Sequence, residues 1–329
     1  MENFEQPLTS PQPRAELSND DFREGTTPFI EANTIAVSLQ EMRADHIIPV
    51  FVKENQPLIS HMECIEATWD IANDLYSGDM VLDPVIRVSH PIKGRVPEAK
   101  HKAAAELLPW ETTIYYERMM FAIEIPSIQG DIDGNTLSLT VGGVKAYNQD
   151  NLYSRNQCDQ NFKMFIGFQN RVCTNLCIWT DGIMDDVRVR DLDSLKMHIH
   201  HLIVRYRSNM HLEAMKELAN HSITEKQFAQ FIGKCRMFQH MPQGKKQNIK
   251  PVMLGDQQLG TVVRDYYKDK SFCRMADGTI NLWRLYNLMT GANKSTYVDQ
   301  FLDRSVNAYD LVEQVKWSLT GHKSSWYLS

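Results

Sequence analysis

The sequence predicts an α+β protein, with an antiparallel sheet in the amino-terminal two-thirds and a mainly helical carboxy-terminal part. Three observations carry this. Between Thr112 and Trp179 the segments TTIYYERMMFAIEIP, TLSLTVGGVKAYN and FKMFIGFQNRVCTNLCIW are rich in β-branched and aromatic residues. The connection between the first two is short, which favours antiparallel pairing. After Asp191 the apolar residues recur at helical spacing instead. A chain of 329 residues, 43% apolar and 23% charged, is long enough for one large domain or two ordinary ones.

In chain order, residues 1 to about 30 are polar, rich in Pro, Asn, Asp and Glu, and read as a disordered arm. Order should begin near Pro28–Ile30. Residues 31–190 would form the sheet domain, with its strands drawn largely from 45–180, and residues 191–329 the helical part packed on it. The run HIIPVFV, His46–Val52, suits a buried strand. Ser60 with Glu63 forms a capping box, and Cys64, Ile65, Trp69, Ala72 and Leu75 follow at helical spacing to a C-cap at Gly78. A strand near Pro84–His90 comes next. Pro97 then fits the first turn of a helix that PEAKHKAAAELL has the propensity to continue.

Gly130, Asp133 and Gly134 supply the turn between the first two long strands. The alternating aspartates of GDIDGN do not make an EF-hand loop, because Thr136 stands where glycine is obligatory and no correctly spaced Glu follows. The glycines of TVGGVKAYN suggest a bulge or a close sheet contact. SLKMHIHHLIVRYRSNMHLEAMKELANH predicts one long helix, and Ser222 with Glu225 a second capping box before Phe228, Phe231, Ile232 and Cys235. MPQGKKQNIKP is a break. Thr279 or Asn281 can cap a helix running to Thr290 and broken at Gly291. Ile280, Leu282, Trp283, Leu285, Tyr286, Leu288 and Met289 surround that helix, so it should be buried. Asn281, Asn287 and Thr290 would then be buried polar groups that cap neighbouring chain ends or face a ligand, since each left unpaired costs about 1–3 kcal/mol. Ala308, Leu311, Val312, Val315 and Leu319 line one face of a last helix that Gly321 terminates.

Composition narrows the function classes. The opening stretch has no apolar run behind a basic region, and no window approaches a membrane span, so a cytoplasmic protein is expected. The six cysteines lack the density of a disulfide scaffold, and Cys173 and Cys177 have no second pair to complete a zinc site. His198 and His201 share a helix face near His200, yet no glutamate stands between them as in zinc hydrolases. No nucleophile elbow, P-loop or dinucleotide fingerprint is present. No metal, cofactor or catalytic residue is therefore assigned.

The charge distribution is more informative. From Ser222 to the end 15 Lys and Arg stand against 9 Asp and Glu, while the rest holds 20 against 32, giving −6 for the whole. Within the basic part, Lys245, Lys246, Lys250, Arg264, Lys268 and Lys270 are interleaved with Tyr266 and Tyr267. Cations that meet phosphates, with aromatics on which unpaired bases stack, are the usual means of binding a single strand. If about four phosphates are neutralised, log affinity should fall against log salt with a slope near −3.

SITEKQFAQFIGKCRMFQ and INLWRLYNLMTGANKSTYVDQFLDR, with SHPIKGRVPEA and the ending SSWYL, resemble the uncharacterised bacterial family called domain of unknown function 3871. The likeness covers most of the chain from about residue 30. FQNRVCTNLCIW and LYNLMT are more distantly similar to the domain of unknown function 932 family. Members of both are typically carried by plasmids, prophages and integrative elements. The resemblance implies an accessory protein dealing with DNA or host defence, and no reaction. Three functions follow in order: contact with single-stranded nucleic acid, an inhibitor or DNA-mimic decoy of a host defence protein built on the acidic part, and an enzyme whose site is assembled only in space.

Overall fold

The computed structural model describes residues 28–45, 58–99, 101–150 and 159–329, so the strand expected at His46–Val52 and the arm up to residue 27 lie outside the described residues. The first half holds β1 (Ile35–Val37), α1 (Leu39–Asp45), α2 (His61–Leu75), β2 (Val85–Val88), β3 (Pro91–Arg95), β4 (Thr112–Tyr116), β5 (Arg118–Ile132) and β6 (Asn135–Ala146). Next come β7 (Gln160–Asn170), β8 (Leu176–Cys177), β9 (Ile183–Val189), α3 (Leu192–Arg205), α4 (Ser208–Ala219) and β10 (Ser222–Ile223). The chain ends with α5 (Glu225–His240), α6 (Gln243–Lys246), α7 (Asp256–Lys268), β11 (Ile280–Asn281), α8 (Leu282–Asn293) and α9 (Val298–Leu319).

Seven strands form one antiparallel sheet in the order β1-β2-β5-β6-β7-β8, with β9 also paired to β7. The fold is α+β, as the sequence predicts. The hairpin between β5 and β6 closes through two residues, Asp133 at φ 49° and Gly134 at φ 76°. Positive φ at both central positions is the turn whose twist matches the flanking strands. Further along, Gly142 and Gly143 mark a close contact and not a bulge. The register is unbroken there, and a Cβ on Gly142 would stand 2.1 Å from the Phe121 carbonyl oxygen.

Both sheet faces are covered. Phe121, Ile123 and Ile125 of β5 face the main core, which continues through α2 and α3 into α5, α7 and α8. Met120 and Ala122 point the other way, against Phe29, Ile30 and the first turns of α9 at Val298, Phe301 and Leu302. Alternation with period two places these neighbours on opposite faces. The apolar run of β5 therefore needs two covering layers, and α9 supplies the second.

Several expectations are corrected. The helix expected from Pro97 is replaced by single helical turns at Pro97–Ala99, Ala104–Glu106 and Pro109–Glu111. β3 and β4, which pair from Pro91 with Tyr116 to Arg95 with Thr112, hold the two ends of this segment together. A continuous helix would carry its far end away from that pairing, and PEAKHKAAAELL has no apolar stripe to hold a helix against a core. The long helix expected after Asp191 breaks at Tyr206, whose extended backbone lets its hydroxyl meet His211 Nδ1 at 2.5 Å. The second capping box lies two residues beyond Ser222, at Thr224 with Gln227, because Ser222 is used in β10 to pair with Asn281. The helix beginning at Ser60 has its capping box as expected, but its C-cap is Tyr76 and not Gly78.

The segment 277–304 resolves as a buried fastening. Asn281 caps α8 by accepting from Arg284 N at 2.8 Å, and its Nδ2 donates to Asp133 Oδ2 at 3.1 Å, with Arg284 Nε 3.2 Å from the same oxygen. Asn287 donates to Trp283 O, and its own carbonyl accepts from Asn175 Nδ2 at 3.0 Å. Thr290 donates to Tyr286 O, and α8 runs on through Gly291 to Asn293. These bonds tie the helix to the β5–β6 turn and to the loop before β8. Asn281→Ala, which removes both the cap and the tether, should cost about 1–2 kcal/mol in the free energy of urea unfolding. An unchanged midpoint would show that the cap is dispensable.

Candidate nucleic-acid interface

The basic segment folds into three pieces. Lys245 and Lys246 lie on α6, Lys250 follows it, and Arg264, Tyr266, Tyr267 and Lys268 end α7, with Lys270 just beyond. α7 packs against α5 in the opposite direction. At one end Arg236 Nε donates to Asp256 Oδ1 at 2.9 Å. At the other, Tyr267 donates to Glu225 Oε1 at 2.5 Å and Arg274 Nη1 to Glu225 Oε2 at 3.1 Å. The helices are fastened in between by Phe228 stacked on Tyr266, with centroids 4.1 Å apart.

That stacking removes Tyr266 from any ligand. It is fully buried, and its hydroxyl donates to Gly278 O at 2.6 Å. The expectation that Tyr266 stacks on bases is corrected: on α7 it falls on the inner stripe with Leu259 and Val262. Tyr267, one residue on, is 51% exposed. The Arg274 guanidinium lies 4.9 Å from its ring centroid, and the bond to Glu225 raises the phenol pKa above its ordinary value.

The cations divide in the same way. Arg264 forks onto Asp265 at 2.7 and 3.0 Å, and Lys250 pairs with Asp310 at 2.5 Å. Lys245, Lys246, Lys268 and Lys270 have no ion pair among the described residues. Lys246 Nζ donates to Gln239 O at 3.3 Å and sits 4.9 Å from the Phe238 ring centroid. Four lysines therefore remain for an anion, two at each end of a helix that spans about 20 Å. At the α6 end an open groove is lined by Met237, His240, Met241, Pro242 and Lys245 together with the Arg236–Asp256 ion pair. The positions of Met237 and His240 in it follow from the outer face of α5, opposite Phe231 and Cys235, although charge counting alone does not find them.

The other candidates of the sequence are placed elsewhere. His200 and His201 are exposed on α3, and no group of three or more His, Cys, Asp or Glu is placed to hold a metal among the described residues. Cys177 is buried in β8 and Cys173 precedes it in the turn. No described helix is long and apolar enough to cross a membrane.

A protein-family model described as "Domain of unknown function, B. Theta Gene description" matches residues 18–328. No curated protein and no solved structure matches the chain.

Proposed function

We propose, from the premise that this chain belongs to the domain of unknown function 3871 family, that it is a non-enzymatic accessory protein of a mobile genetic element that contacts single-stranded nucleic acid. The contact runs along the outer face of α5, α6 and α7. The observation that carries this reading is a set of four lysines with no ion pair among the described residues, Lys268 and Lys270 beside the exposed Tyr267 and Lys245 and Lys246 at the far end of α7. Lysine ammoniums in such a row track phosphates, and Tyr267 with Arg274 offers flat surfaces for bases. The mobile-element setting, a cytoplasmic location and the more distant kinship with the domain of unknown function 932 family belong to this proposal and rest on the resemblance.

Variants separate the two kinds of contact. Replacing any one of Lys245, Lys246, Lys268 or Lys270 with alanine should reduce the salt slope for a 30-mer oligonucleotide by about 0.7. Tyr267→Ala should weaken binding about tenfold with the slope unchanged, because stacking releases no counterion. Slopes unchanged from the parent's in all four lysine variants would remove this face from consideration. Copurification of a host nuclease, with no oligonucleotide bound, would favour the decoy function instead.

A further inference from the structure

A second site lies away from the α5–α7 face. A cleft of about 260 Å³ is formed where the loop 32–34, the end of β2, the start of β3, the start of β5 and the start of α9 meet. Its walls are Pro91, Ile92, Tyr297 and Val298, Glu117 and Arg118 supply its formal charges, and His90 also stands in its lining. The walls are fixed. Arg87 donates to the Thr34 carbonyl at 2.8 Å, and Glu31 N and Ala32 N both donate to Lys294 O. Asn33 is held at φ 44°, a conformation most residues avoid, and Arg118 N donates to Ser89 Oγ at 3.2 Å.

Arg118 is underused within this frame. Its nearest carboxylates are Glu117 Oε2 at 3.8 Å from Nη2 and Asp299 Oδ1 at 3.9 Å from Nε, both beyond hydrogen-bond reach. Arg118 Nε and Asp299 Oδ1 are buried and have no hydrogen-bond partner among the described residues. The Arg118 side chain keeps 28% of its surface exposed, and this exposed part of the guanidinium has no carboxylate within hydrogen-bond reach, which leaves it available to a group that enters. Tyr297, half exposed beside it, precedes α9 without making a side-chain cap, so it is not needed to hold the helix.

The charges decide the class of ligand. One guanidinium between two carboxylates gives no net positive field, which disfavours a free phosphate or a polyphosphate. A flat neutral ring with acceptors and donors on its edges fits better: Tyr297 for its face, Ile92 and Pro91 for its apolar flank, Arg118 as donor and Glu117 as acceptor. Guanine combines two adjacent acceptors, O6 and N7, with an amino donor, and arginine is its usual partner. The cleft is below the usual 300–1,000 Å³ of sites for larger ligands, which matches one base.

We infer that this cleft binds a single unpaired nucleobase, guanine in preference, through Arg118, Glu117 and Tyr297. The inference rests on the nucleic-acid reading only for the source of the base, which is either a strand or a free nucleoside.

The test is titration of the full chain with guanosine, adenosine, cytidine and uridine, and separately with guanine-containing and guanine-free 30-mers, followed by NMR or calorimetry. Tyr297→Ala and Arg118→Met are compared with the parent, and thermal unfolding checks that each is folded. The expected result is saturable guanosine binding that falls tenfold or more in both variants and is unaffected by Lys268→Ala. Guanosine binding without oligonucleotide binding would support the cleft with a free nucleoside as source, and would overturn the proposed function. Oligonucleotide binding that ignores base composition and both cleft variants, with no nucleoside bound, would overturn the cleft and leave the α5–α7 face standing. If Tyr297→Ala binds guanosine as the parent does, the cleft assignment is wrong whatever Arg118→Met does.

Discussion

Lys145→Met is expected to destabilise the protein by about 3–5 kcal/mol, read as the loss in free energy of urea unfolding. Lys145 is fully buried in β6, and its Nζ lies 2.5 Å from Asp150 Oδ2. It also meets the Asn161 carbonyl at 3.3 Å and the faces of Phe162 and Tyr147, with Nζ 4.2 and 5.5 Å from the ring centroids. Asp150 accepts in turn from Asn161 N at 2.8 Å. Burial lowers the lysine pKa from its ordinary value, and the attraction of Asp150 opposes that shift without cancelling it. In a buried ion pair the cost of taking both charges out of water offsets most of their mutual attraction. Removing one partner is a different matter, because it strands the other charge in the core. The double variant Lys145→Met/Asp150→Leu should recover most of the loss, although Asn161 N then loses its acceptor. A single variant as stable as the parent would show that Asp150 reaches solvent when its partner is gone.

The second large effect is acid sensitivity through His211. The ring is fully buried on α4, stacked on Trp179 with centroids 4.8 Å apart and edged by Tyr309 and Tyr206. Tyr206 meets Nδ1, while Nε2 has no hydrogen-bond partner among the described residues. Burial pushes the imidazole pKa down from its ordinary 6.5 to about 3. The unfolded chain thus binds a proton below pH 6.5 that the folded chain refuses until about pH 3. This contribution leaves stability unaffected above pH 6.5 and lowers it progressively below, by about 1.4 kcal/mol per pH unit. Urea unfolding of the parent and of His211→Phe between pH 7 and pH 4 checks it. The difference in free energy between the two should change by several kcal/mol over that range. Parallel pH profiles would mean that His211 is protonated in the folded protein.

The features legible in the sequence were those fixed by residues close together. Ser60 and Glu63 form their capping box, Asp133 and Gly134 their turn, and Gly321 ends α9 with φ 72°. The burial of α8 also followed from its all-round apolar pattern. What failed depended on distant partners. Ser222 belongs to a strand because Asn281 pairs with it, and 97–111 is not a helix because β3 and β4 hold its ends together. The same division runs through the candidate site. Its basic and aromatic composition is visible, and so is the Asp265 that takes Arg264, but the loss of Lys250 to Asp310 depends on a residue far away along the chain. Tyr266 and Tyr267 are neighbours in sequence, and only the direction of α7 against α5 separates the buried ring from the exposed one.

In the proposed function, four lysines with no ion pair among the described residues hold a nucleic-acid strand on the α5–α7 face. Its most direct test is fluorescence anisotropy of a labelled 30-mer single strand, titrated with the protein from low to moderate salt. Four neutralised phosphates predict a log–log slope near −3. No binding of the strand at low salt would contradict the account.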